Sequence, residues 1–106
     1  MATIRARLPA QARPGETVQV RALIQHPMET GFRRDEAGRA FPRNILKDFT
    51  CSYDGAVVFR AEFFPAVAAD PFLAFHFVAT RSGDVVLSWT EDTGKVFSQT
   101  LKIDVT

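Results

Sequence analysis

One cysteine, Cys51, is all the chain has, so no intrachain disulfide staples the fold and cysteine usage carries no signal of compartment. An excess of one charge is missing too: 13 Lys and Arg stand against 12 Asp and Glu, a formal net of +1. That balance gives no reason to expect nucleic acid or an anionic membrane as partner. No apolar run approaches transmembrane length. Near the N-terminus, Ile4, Ala6 and Leu8 are interrupted by Arg5 and Arg7 and stopped by Pro9, so no signal-peptide core stands there. The expectation is a cytoplasmic chain, or one exported by riding on a partner. The glycines form neither GxGxxG nor GxxxxGK, which removes phosphate-cradling loops. Tyrosine and tryptophan occur once each, whereas phenylalanine occurs ten times. So many wholly apolar rings belong in a core or at an interface. The 106 residues make one domain, 1–106. A domain of that size buries roughly two-thirds of its unfolded surface, enough for a core without staples.

Period-two patterning dominates. Ile4, Ala6 and Leu8 alternate with polar neighbours, and so do Val18, Val20, Ala22 and Ile24. After Pro42 the signal returns with Phe49, Cys51 and Tyr53 on one face. Asp54-Gly55 is a two-residue hairpin signal, and the return strand sets Val57, Phe59, Ala61 and Phe63 on one face. Residues 66–69 read as a helical turn or an irregular crossover. Phe72 to Val78 is apolar on both faces except for His76, the mark of a central strand or of one covered by a partner. Val85, Leu87 and Trp89 form the next inward set, then Phe97, Leu101, Ile103 and Val105. About seven short strands with regular turns predict an all-β antiparallel β-sandwich. It is Ig-like in architecture only, because the Cys–Trp–Cys spacing of antibody domains is absent.

The long stretch at about 26–43 shows no sustained period, and connections of that length are usually functional or disordered. It opens on His26-Pro27-Met28-Glu29-Thr30-Gly31, a polar motif with fixed turns at a strand end. Arg33, Arg34, Arg39, Arg43 and Lys47 follow, interleaved with Asp35 and Glu36. That mixture reads as a solvated loop or as charge pairing with a protein surface. Metal ligation has few candidates: His26, His76, Cys51 and, beside His26, Glu29. Nothing in their spacing brings three together, and no metal or cofactor is expected. Ser52, Ser82, Ser88 and Ser98 lie outside any nucleophile elbow. Cys51, between Phe49 and Tyr53 on one face, reads as an inert core thiol, and His76 as a hydrogen-bonded, half-buried side chain. One inward face per strand leaves Val58, Phe64, Phe72, Val78 and Val86 over, with Phe32 and Phe41 in the loop. Together they exceed the apolar patch a monomer usually shows. Phe32, Phe41, Phe64 and Phe72 are therefore the candidate partner interface.

Two blocks carry a family resemblance. The first is His26-Pro27-Met28-Glu29-Thr30-Gly31 with Arg34-Asp35, Gly38 and Pro42. The second is Pro65-Ala66-Val67 followed by Asp70-Pro71-Phe72-Leu73-Ala74-Phe75-His76-Phe77. In order and spacing they resemble the Z subunit of the sulfur-oxidation (Sox) carrier protein, the SoxZ family, over essentially the whole chain. Phe41-Pro42-Arg43-Asn44-Ile45-Leu46 departs from that pattern, as does Asp70, where the family commonly has Asn. The resemblance implies an Ig-like sandwich in an obligate heterodimer with the Y subunit, SoxY. That partner's Gly-Gly-Cys-Gly-Gly arm carries sulfur intermediates covalently. The resemblance also implies a non-catalytic scaffold, transient docking with other Sox enzymes, and a periplasmic location reached together with Y. His26, Pro27, Met28, Glu29, Thr30, Gly31, Arg34 and Asp35 are then expected near the partner or its arm. Two other classes compete: a free-standing cytoplasmic Ig-like binding module that uses the loop, and an enzyme that uses Cys51 or His26.

Overall fold

The computed structural model describes residues 3–32, 34–40, 42–64, 67 and 69–106. Eight strands follow in order: β1 (Ile4–Arg7), β2 (Gln11–Ala12), β3 (Glu16–Ile24), β4 (Leu46–Tyr53), β5 (Ala56–Glu62), β6 (Phe72–Ala79), β7 (Gly83–Glu91) and β8 (Val96–Val105). They form two sheets, β1-β3-β6 and β2-β8-β7-β4-β5, packed as an Ig-like sandwich. All pairings are antiparallel except β2 with β8. The two-residue β2 is the strand that the alternation did not announce. Pro9 donates no backbone hydrogen bond, so pairing lapses after Arg7, and the chain crosses to the other sheet for Gln11 and Ala12.

The alternating positions fill the space between the sheets. Val18, Val20, Ala22 and Ile24 are buried on β3, Phe49, Cys51 and Tyr53 on β4, and Val85, Leu87 and Trp89 on β7. At the centre the rings bridge the layers. Phe75 of the three-stranded sheet stacks on Phe59 of the other, with centroids 4.2 Å apart and planes 3° from parallel. Phe49 tilts against Phe75 at 5.7 Å and against Trp89 at 4.9 Å. Such contacts contribute about 0.5–1.5 kcal/mol each beyond the area they bury. Below them the Tyr53 hydroxyl donates to the Arg81 carbonyl and accepts from the Thr80 and Arg81 N–H groups at 3.1 and 2.9 Å. It ties the β6–β7 turn to β4. Burial works to raise this phenol's pKa, but those hydrogen bonds, aided by the Arg81 charge, outweigh it and hold the group below its usual value.

Three expectations change. Phe72–Ala79 is an edge strand of its sheet, not a central one, and its second face is open. His76 is exposed on that face rather than half-buried. Val57 points outward. Cys51 pairs with Phe59 but Ser52 pairs with Val57, so Val58 is an extra residue, and this bulge reverses the alternation at the start of β5. In the crossover, Pro65, Ala66 and Ala68 lie outside the described residues. Val67 donates its N–H to the Phe64 carbonyl at 2.9 Å in a turn. The Asp54-Gly55 hairpin is as expected, with both residues at positive φ (51° and 86°) as its turn requires.

Candidate functional site at the base of the long loop

Between β3 and β4 the chain must pass from one sheet to the other, and it does so through residues 25–45. This segment folds back on itself. Glu29 and Asn44 exchange N–H···O bonds of 2.8 and 2.7 Å, and Arg34 bridges to Ala40 further out. At the tip the Asp35 carboxylate accepts from the N–H groups of Ala37 and Arg39, both at 2.9 Å. Gly38 there takes φ 82°, a left-handed turn that costs glycine little.

His26 anchors the base. Only 3% of it is exposed. Its main chain exchanges two bonds with Asp70, the N–H donating to the Asp70 carboxylate and the carbonyl accepting the Asp70 N–H, both at 2.8 Å. Its ring serves two more partners. Nδ1 lies 3.0 Å from the Met28 N–H and must accept from it. The ring proton therefore sits on Nε2, which donates to Glu91 Oε2 at 2.7 Å. The Thr93 hydroxyl donates to the other carboxylate oxygen at 3.0 Å. Met28 completes the lock with φ 51° and a buried thioether that accepts the Leu46 N–H at 3.3 Å. Beside it, Asp92 accepts from Arg43 Nε at 2.9 Å and from the Ile45 N–H at 3.4 Å, so the β7–β8 turn holds the loop's return limb.

The motif thus divides by direction. His26 and Met28 turn inward and hold the loop. Pro27, Arg34 and Asp35 are exposed, and Glu29, Thr30 and Gly31 are partly so. Phe32 is 85% exposed. Phe41 and Arg33 lie outside the described residues. A polar cavity of about 250 Å³ opens beside this base, lined by Gln25, His26, Pro27, Asn44, Glu91 and Lys95. Asn44 Oδ1 is buried there without a hydrogen-bond partner among the described residues. Glu91 and Asp92 are participants the sequence pattern did not single out, and Asp70 entered it only through the family resemblance.

The other chemical candidates stand apart. Cys51 is fully buried between the sheets, and burial pushes its thiol up to about 11. A thiol held protonated at neutral pH is a poor nucleophile. Both nitrogens of His26 are engaged in hydrogen bonds. Among the described residues no three His, Cys, Asp or Glu side chains gather as a metal ion would need. A second cavity, apolar and about 380 Å³, lies where β5 ends and β6 begins, lined by Ala61, Phe63, Val67, Pro71, Phe72 and Leu73.

This combination defines a class first: an Ig-like sandwich with a buttressed crossover loop. Solved structures share the sandwich fold at low identity. The superoxide reductase (neelaredoxin) from Ignicoccus hospitalis superposes with a TM-score of 0.72 at 17% identity, over 98% of this chain and 80% of its own. A putative superoxide reductase from Thermotoga maritima gives 0.71 at 17%, over 97% and 85%. The sulfur carrier protein SoxY from Chlorobium limicola f thiosulfatophilum gives 0.68 at 15%, over 97% and 78%. None of the curated proteins matches the chain. The family model of the sulphur oxidation protein SoxZ matches residues 4–102. The chain belongs to the SoxZ family.

Proposed function

We propose that this chain is the non-catalytic scaffold subunit of a heterodimeric SoxYZ sulfur carrier in thiosulfate oxidation. Its partner is the Y subunit, whose C-terminal cysteine arm holds the sulfur intermediates. One observation beyond family membership carries the reading. Large apolar side chains stand exposed along the two strands that end the sheets: Val57 and Val58 on β5, Phe64 just after it, and Phe72 and Val78 on β6. Phe64 is 61% and Phe72 57% exposed. Fully burying one such side chain contributes about 1.5–3 kcal/mol, so several together outweigh the cost of association. Two edge strands, β5 and β6, also leave unpaired backbone groups, which a partner would cover.

In this reading the 26–43 loop is a fixed platform. Its inward residues hold the shape, and Pro27, Thr30, Arg34 and Asp35 meet the partner's arm or the enzymes that visit it. Location follows from partnership: the folded chain reaches the periplasm attached to Y. The test is co-expression with the Y subunit, then chromatography with mass measurement in solution. A stable one-to-one complex is expected, with sulfur adducts found by mass spectrometry on Y alone after reaction with thiosulfate and the Sox enzymes. A monodisperse chain that ignores Y, or an adduct on Cys51, overturns the proposal.

A further inference from the structure

The outer face of the three-stranded sheet is one-sided in charge. Its outward positions are Arg5 and Arg7 on β1, Thr17, Gln19, Arg21 and Leu23 on β3, and Phe72, Ala74, His76 and Val78 on β6. No carboxylate occupies any of them. The register puts Arg5 beside Leu23, Leu23 beside Phe72, and Arg7 beside Arg21. These five side chains line a groove of about 300 Å³. Leu23 is the half-buried member of this lining, and Phe72 and the three arginines are exposed. Arg21 bonds only to Gln19, at 3.3 Å, and no carboxylate pairs with any of the three guanidiniums among the described residues. Yet the whole chain carries a net charge of only +1. Three of the 13 basic side chains stand here with no carboxylate at any outward position of the face, next to the apolar corner that Phe72 shares with the second cavity.

We infer that this groove receives an acidic, apolar-tipped surface of the partner subunit, with carboxylates meeting Arg5, Arg7 and Arg21 around one apolar side chain seated on Leu23 and Phe72. The inference rests on the proposed pairing with Y and says where that partner's charge lies. A second copy of this chain does not fit, because a two-fold contact through this face sets arginine against arginine. Phe72 makes the basic groove continuous with the apolar edge, so one partner covers both. Arginine is suited to such a place, since its planar fork meets carboxylates in pairs while its stem packs on apolar groups. Opposed charge of this kind steers association and fixes register more than it adds affinity.

The experiment measures binding of purified Y subunit to the native chain and to a triple variant, Arg5→Gln, Arg7→Gln and Arg21→Gln. Each is measured at about 50 and about 500 mM salt, where screening lengths differ several-fold. The variant is expected to keep the native melting temperature and to bind Y about tenfold more weakly at low salt, with little difference at high salt. Phosphatidylserine vesicles and duplex DNA, as probes of non-specific anion binding, are expected to bind neither form appreciably. Y binding unchanged in the variant at low salt overturns the inference and leaves the proposed function standing. No Y binding to the native chain overturns both. Vesicle or DNA binding as strong as that of Y, and lost in the variant, makes the face a general anion surface and also overturns the inference.

Discussion

The His26 ring holds two backbone segments and a carboxylate in one place, so its loss leaves several groups bare. In His26→Ala the buried Glu91 carboxylate and the Met28 N–H both lose a partner. Breaking a buried pair from one side costs about 3–5 kcal/mol. Glu91→Gln keeps an acceptor for Nε2–H and should cost about 1 kcal/mol. Urea midpoints check the order; a His26→Ala no worse than Glu91→Gln would show that the ring is not what holds the loop. Cys51 makes a prediction in pH. Its thiol titrates near 11 when folded against an ordinary value of 9.0. Below pH 9 both states keep the proton and the contribution is flat. Between about 9 and 11 the unfolded chain releases a proton that the folded chain retains, so stability falls as pH rises. The loss approaches about 3 kcal/mol. Comparing denaturation of the native chain and Cys51→Ala across that window isolates the slope, since Tyr53 is common to both. Iodoacetamide at pH 8 should leave the folded thiol unmodified. The sequence made Cys51 legible, because its neighbours Phe49 and Tyr53 share its face. It made His26 legible only as a candidate, because its partner Glu91 lies 65 residues along the chain and no local period links them.

Among the elements, the long connection shows how far patterning reaches. Its extent was readable from the lapse of alternation after Ile24, but its pairing with itself was not. Single bridges at Glu29–Asn44 and Arg34–Ala40 leave no repeating signature. The edge position of β6 was hidden for a related reason: apolar residues on both faces look alike whether a strand or a partner covers the second one. The bulge at Val58 was equally silent, because an extra residue shifts facing without changing composition. Gly31 tests the loop as a unit. It sits at φ 90°, and an added Cβ would come 3.3 Å from the Arg43 Cβ on the return limb. Gly31→Ala should therefore cost about 1–2 kcal/mol from the left-handed backbone alone. It should also increase proteolytic nicking in the 34–40 segment. A melting temperature equal to the native value, with an equally resistant loop, would mean the two limbs do not depend on that turn.

For the whole molecule, alternation specified the sandwich because one side of each sheet faces the other through rings such as Phe49, Phe59 and Phe75. What lay beyond reach was the arrangement of strand edges, which puts the left-over apolar residues on and beside β5 and β6, the strands that end the two sheets. Phe64→Ser with Phe72→Ser alters only exposed sites, so the fold should persist with its melting temperature nearly unchanged. Binding to the Y subunit should fall by about 30-fold or more, as when an interface anchor is truncated. Equal affinity by calorimetry would move the interface elsewhere. A last consequence comes from the short parallel ladder of β2 on β8. Gln11 pairs with Asp104 and Ala12 with Val105, and the Thr106 N–H donates to the Ala12 carbonyl at 3.1 Å. Almost the whole polypeptide separates these partners, so the closure is entropically costly and belongs to the slow, non-local part of folding. On the ribosome β1 and β3 can meet early, but β2 has no neighbour until residues 104–106 have emerged. The sandwich is sealed only after its synthesis passes that point, and a partner that recognises the sealed form meets the chain late.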